Sequence, residues 1–149
     1  MNTYCKVAEV QLKYKPKTFS ETIRSSSEIN RLLKEKVFDE GTIGYKEYFK
    51  ILLFNQANML IGYSTISEGG LNSTTVDVRV IMQTALVSNA ISIVIAHNHP
   101  SGTIYPSVQD DDLTRKIKSA CDVMGIRLLD HIIVTPYNRY YSYCDNNRL

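Results

Sequence analysis

The 149-residue chain is long enough for one domain with a proper core and too short for two comfortable ones. Its 44% apolar and 21% charged residues exclude a disordered or fibrous protein, and 17 basic against 15 acidic residues leave a net charge of +2, too balanced for the broad positive field of nonspecific nucleic-acid binding. Cys5, Cys121 and Cys144 include no C-x-x-C pair, which argues against a disulfide framework or thiolate zinc knuckle, and the apolar runs are too short to span a bilayer; a cytoplasmic protein with no membrane segment is expected.

Residues 7–14 alternate apolar and polar side chains and read as a short strand, broken by Lys15-Pro16-Lys17. Residues 1–25 are therefore expected to be an N-terminal strand or arm of the same domain. Ser25-Ser26-Ser27-Glu28 sets a hydroxyl three residues ahead of a carboxylate, a capping-box pattern, and Ile29, Leu32 and Leu33 mark the apolar face of a helix running to about Lys36. Residues 45–55 and 59–66 are rich in strand formers on either side of Asn55-Gln56-Ala57-Asn58, which predicts a β-hairpin ended by Glu68-Gly69-Gly70.

Asp77 is placed to cap a helix over residues 78–88, and residues 91–97 form the nearly continuous apolar run of a central strand. A third helix starts from Ser107, with Leu113, Ile117, Ala120, Cys121 and Met124 as its inner face and Gly125 as its stop. Residues 126–135 and 139–144 read as two further strands, the tyrosines among and before them as strand packing rather than a base-stacking surface. Helix leading into buried strand predicts α/β packing.

Chemistry concentrates where the central strand ends. His97 and His99 are two apart, so both imidazoles fall on one face and can reach one ion. Pro100-Ser101-Gly102 turns the chain, and Asp110 in the first turn of the third helix can return a carboxylate oxygen to the pair. Two nitrogens and one oxygen would leave the fourth tetrahedral position open, as at a catalytic zinc. Read by spacing alone, Ser107-x-x-Asp110 is equally a helix cap, and the histidines could be hydrogen-bonded polar residues at a sheet end.

The spacing His97-x-His99, seven residues, Ser107, two residues, Asp110 resembles the H-x-H-x(7)-S-x(2)-D signature of the JAMM (MPN+) zinc metallopeptidases. His97-Asn98-His99-Pro100-Ser101-Gly102, with Leu129-Asp130-His131 downstream, is similar to the RadC-like branch, over residues 47–145. The resemblance implies a single three-layer α/β domain, a mixed β-sheet flanked by helices of the cytidine-deaminase-like kind. It implies one Zn2+ held by His97, His99 and Asp110, with Ser107 as hydrogen-bond donor to a developing oxyanion or the zinc water, and a glutamate upstream as general base.

Glu47 is the candidate for that glutamate. In a strand over residues 45–55 it shares a face with Phe49, Ile51 and Leu53, opposite Lys46 and Lys50, and a carboxyl on an apolar face has its pKa raised toward the range a proton shuttle needs. Glu68 is the rival, at a Gly-Gly turn that suits a solvated acid. His131 lacks ligand spacing and reads as structural or as supporting the ligands. The expected activity is hydrolysis of a peptide or isopeptide bond in a protein substrate, with specificity carried by the loops at residues 67–77 and 102–106. The alternatives are a non-hydrolytic scaffold and a DNA-associated repair or recombination accessory, since the RadC-like family carries a DNA-repair label. Longer members have an N-terminal helix-hairpin-helix region, of which the first 25 residues here show no pattern, and this argues against direct DNA binding. The letters His97-Asn98-His99 match the name of a nuclease class without its spacing.

Overall fold

The hairpin forms as two antiparallel strands, β1 (Tyr48–Phe54) and β2 (Leu60–Glu68), in a computed structural model that describes residues 21–69 and 75–149 together with positions 11 and 15. The turn closes on Asn55, whose side-chain oxygen accepts from Ala57 N and Met59 N, while Asn58 takes a φ of 55° that asparagine tolerates better than most residues. On its other side β1 pairs antiparallel with β3 (Ser92–Asn98). β3 runs parallel to β4 (Arg127–Val134), and β4 turns back into the short β5 (Tyr140–Ser142). The result is one mixed sheet in the order β2-β1-β3-β4-β5.

Helices cover both faces of that sheet. On one side α1 (Ser26–Leu32), prolonged by a π-helical turn at Leu33–Val37, packs Ile29, Leu32 and Leu33 into a core with Leu52, Phe54, Val94 and Ile132. On the other, α2 (Val78–Val87) and α3 (Val108–Met124) bring Ile81, Ala85, Ile117 and Cys121 into a core with Phe49, Ile51, Ile93 and Ile95. A central strand covered on both faces can carry no polar alternation, and all seven residues of β3 are buried. Each fully enclosed isoleucine there contributes about 1.5–3 kcal/mol of hydrophobic stabilisation. The three-layer α/β arrangement expected from the sequence is present. No helix among the described residues is long and apolar enough to cross a membrane.

Several local expectations shift. Ser25 caps α1 by accepting from Glu28 N, but the Glu28 carboxylate takes Arg24 N at 2.7 Å, one residue ahead of the partner a capping box would use. β1 begins at Tyr48 rather than at residue 45, because residues 40–45 wind into turns around Asp39, which accepts from Gly41 N and Ile43 N; Glu47 therefore lies just outside the strand. On α3 the buried positions are Thr114, Ile117 and Cys121, while Met124 is half exposed, so the inner face ends one turn early. Gly125 stops the helix as expected, at φ 67°. Tyr141 and Tyr143 are buried, but Tyr137 is exposed and lies before β5. The strand expected at residues 7–14 lies outside the described residues, apart from position 11, as does the middle of the loop 67–77, at 70–74.

Candidate metal centre

Strand parity does the first part of the work. His97 is the penultimate residue of β3, and His99 continues the ladder one step beyond it, His99 N donating to Val134 O at 2.9 Å. With Asn98 turned to the other face, the two imidazoles meet with Nε2 atoms 3.0 Å apart. The chain then turns sharply: Gly102 N donates to His99 O at 3.0 Å, and Gly102 adopts φ 85°, a backbone region glycine enters without strain. This turn lets Thr103 O accept from His99 Nδ1 at 2.7 Å, which aims His99 Nε2 at His97 and Asp110.

The first turn of α3 supplies the third group. Ser107 caps the helix, its Oγ accepting from Asp110 N at 3.1 Å while Ser107 N donates to Asp110 Oδ2 at 2.7 Å, a complete capping box. The cap fixes the carboxylate so that Oδ1 lies 3.3 Å from His97 Nε2 and Oδ2 lies 3.6 Å from His99 Nε2. Cap and convergence are thus two consequences of the same pair of residues. Four ligands on tetrahedral bonds of about 2.0–2.1 Å stand about 3.3–3.4 Å from one another, and the three contacts bracket that spacing. His97, His99 and Asp110 form a group that could hold a metal ion.

Electrostatics point the same way. Burial opposes charge on Asp110, yet the adjoining His97 and His99 imidazoles outweigh it and hold the carboxyl well below the usual carboxylate range. Burial likewise works against a proton on His99, but Asp110 and the Thr103 carbonyl more than offset it and raise the imidazole pKa. A carboxylate that stays ionised beside two imidazoles makes a small, enclosed spot that favours positive charge.

Glu47 sits at the entrance to β1, half-buried, its carbonyl accepting from Gly69 N at 2.8 Å. Burial pushes its carboxyl pKa up, against the opposing pull of His97 and His99, with Asp110 adding to the rise. It is therefore within electrostatic reach of all three members of the group. Glu68 ends β2 with an exposed side chain 3.3 Å from Lys46 Nζ, in an ion pair of its own. Ser107 is exposed, and no acceptor for its hydroxyl hydrogen is found among the described residues.

Three supporting residues escaped the sequence reading in whole or part. His131, expected only as structural or supporting, places Nε2 2.8 Å from His97 Nδ1, and its Nδ1 lies 2.6 Å from Thr114 Oγ1. Thr114 in turn donates to Asp110 O at 2.6 Å. Its position four residues after Asp110 on one helix was a usable signal, but nothing local linked it to β4. Asn98 holds the other face: Oδ1 accepts from Tyr48 N at 2.7 Å, and Nδ2 donates to Ile43 O at 2.7 Å and Lys46 O at 2.8 Å. It thereby grips the backbone on both sides of Glu47. Aromatic rings close the site, Phe49 stacking on His97 and Tyr143 on His131 with centroids 6.1 Å and 4.6 Å apart.

Comparison with known proteins agrees with this geometry. The RadC-like JAB domain matches residues 23–148. A UPF0758 protein of Porphyromonas gingivalis is 41% identical over 104 residues, covering 70% of this chain and 46% of that protein. A UPF0758 protein of Flavobacterium johnsoniae is 39% identical over 105 residues, covering 70% and 45%, and one of Streptococcus sanguinis is 37% identical over 123 residues, covering 83% and 52%. The chain spans about half the length of the curated relatives it matches. With the match running from Ile23 to Arg148, across the sheet, both helical layers and the His-His-Asp group, the chain belongs to the RadC-like JAB domain family.

Proposed function

We propose that the chain is a zinc-dependent hydrolase that cleaves an amide bond, in a peptide or an isopeptide-linked protein. The observation that carries the reading is the convergence of His97 Nε2 and His99 Nε2, 3.0 Å apart, with the Asp110 carboxylate, whose Oδ1 and Oδ2 lie 3.3 Å and 3.6 Å from them respectively, beside a half-buried glutamate. Two imidazoles and one carboxylate with a corner left open are a donor set suited to catalytic zinc. When bound, such an ion lowers the pKa of its water to around 7 and polarises a carbonyl oxygen.

The protein's own groups supply the rest. Glu47 accepts the proton from the attacking water and returns it to the leaving amine; a carboxyl whose pKa is raised by burial is better matched to both halves of that task than a solvated one. Asn98 keeps Glu47 in place through the backbone of Lys46 and Tyr48. Ser107, whose oxygen is engaged by Asp110 N, directs its hydroxyl hydrogen to the developing oxyanion. Glu68 is less suited to the base role, since it is exposed and paired with Lys46.

The test couples metal content to turnover. Protein equilibrated with zinc and freed of excess is expected to hold one ion per chain, and Asp110→Asn to lose it. Glu47→Gln is expected to keep the ion while hydrolysis of a peptide and isopeptide library, read by mass spectrometry, falls by about 10²–10⁴-fold. Wild-type protein without stoichiometric zinc overturns the metal reading. Full activity in Glu47→Gln overturns its assignment as the base.

A further inference from the structure

The hydrogens along the path Asp110, Thr114, His131, His97 follow by elimination. A carbonyl oxygen only accepts, so the 2.6 Å contact from Thr114 Oγ1 to Asp110 O uses the one hydroxyl hydrogen Thr114 possesses. Toward His131 Nδ1, also at 2.6 Å, the same oxygen can then only accept, and His131 must carry its hydrogen on Nδ1. His131 is wholly enclosed, and among the described residues no carboxylate touches either of its ring nitrogens. A fully enclosed ring whose only partners are a hydroxyl oxygen and another imidazole has no counter-charge for a second proton, which leaves Nε2 bare. The bare Nε2 lies 2.8 Å from His97 Nδ1, so His97 donates there.

The geometry assigns His131 and Thr114 a positioning role: together they lock His97 in the tautomer whose Nε2 electron pair faces His99 and Asp110. The role presupposes the metal reading proposed above, because a fixed tautomer matters only if an ion uses that electron pair. His99 is oriented separately, by Thr103 O, so each histidine has its own anchor. The Thr114 hydroxyl also ties two ligands to each other. It holds the carbonyl of Asp110 on α3 and, through His131 on β4, the ring of His97 on β3. Neither residue touches the reacting atoms.

The experiment reads the tautomer directly, by long-range proton–nitrogen correlation spectra of the histidine rings in metal-free protein near neutral pH. His97 and His131 are both expected with hydrogen on Nδ1. Thr114→Val, nearly isosteric, removes the acceptor for His131; the His97 nitrogen shifts should then move, and zinc affinity measured by chelator competition should fall about 10–100-fold. Thr114→Ser restores the hydroxyl and should restore both readouts, whereas a merely structural residue would change stability alone. Hydrogen on His97 Nε2 in the wild type, or unchanged zinc affinity in Thr114→Val, overturns the assignment. Should Thr114→Val fail to fold, the wild-type spectrum decides by itself. A wild type with His97 protonated on Nδ1 that takes up no zinc upholds the relay and defeats the metal reading, so the two failures are distinct.

Discussion

Asn98 stands between two site histidines, yet its side chain serves the opposite face, and replacing it by alanine tests whether that face matters. The substitution deletes three hydrogen bonds of 2.7–2.8 Å at a position with no solvent exposure. Lys46 and Tyr48 are partly exposed, so water can reach their backbone groups in compensation, and each loss there costs about 1 kcal/mol. Ile43 is buried, and its carbonyl left without a partner costs about 1–3 kcal/mol. The total is about 3–5 kcal/mol, which for a chain of this size corresponds to a Tm lowered by on the order of 10 °C. Thermal unfolding followed by circular dichroism measures it. Because the lost bonds flank Glu47, hydrolysis should fall alongside stability, while zinc uptake through His97, His99 and Asp110 persists in the folded fraction. Asn98→Asp should be no milder at neutral pH, since it sets a carboxylate against the carbonyls of Ile43 and Lys46. A Tm within a few degrees of wild type, with turnover intact, would refute the clamp.

Two further expectations concern the turn and the core. At Gly102 an added Cβ would adopt φ 85° and meet the Tyr137 ring at 2.6 Å. Gly102→Ala should cost about 1–2 kcal/mol in urea unfolding. Adding Tyr137→Ala should recover only part of it, since the ring can move but the backbone strain stays; full recovery would mean the φ angle carries no cost. Burial pushes the Cys121 thiol up to about 11. In the unfolded chain it titrates near about 8.5, so its contribution to stability is complete below that pH and fades as pH rises toward about 11. Peptide mapping after alkylation at mildly alkaline pH should find Cys121 unmodified in folded protein and modified in urea. Rapid labelling without denaturant would contradict its burial.

Much of the site was legible because it is local. His97 and His99 depend on nothing but strand parity, and Ser107 and Asp110 on nothing but helix capping. The Asn55 turn and the Gly125 stop follow from the backbone conformations those residue types tolerate. Glu47 was legible as an acid on an apolar face, although the strand expected to carry it starts one residue later. That difference arises because Asp39 and Asn98 divert the preceding backbone into turns, and no pattern within residues 39–47 announces a partner fifty positions away. Met124 was misplaced for a related reason. Helical period alone put it on the inner face, but Met124 is half exposed, whereas the polar Thr114 is buried because His131 and the Asp110 carbonyl satisfy its hydroxyl.

The amino-acid sequence by itself determined the α/β class and the elements around the site, because these rest on patterns within a few residues, and its resemblance to a known signature pointed to the three groups able to share an ion. Tertiary structure alone decided which side chains orient those groups. Laying β1, β3 and β4 side by side brings Asn98 to the backbone around Glu47, and His131 to His97. Such pairings span 34 to 55 positions along the chain and depend on sheet order, which no local periodicity encodes.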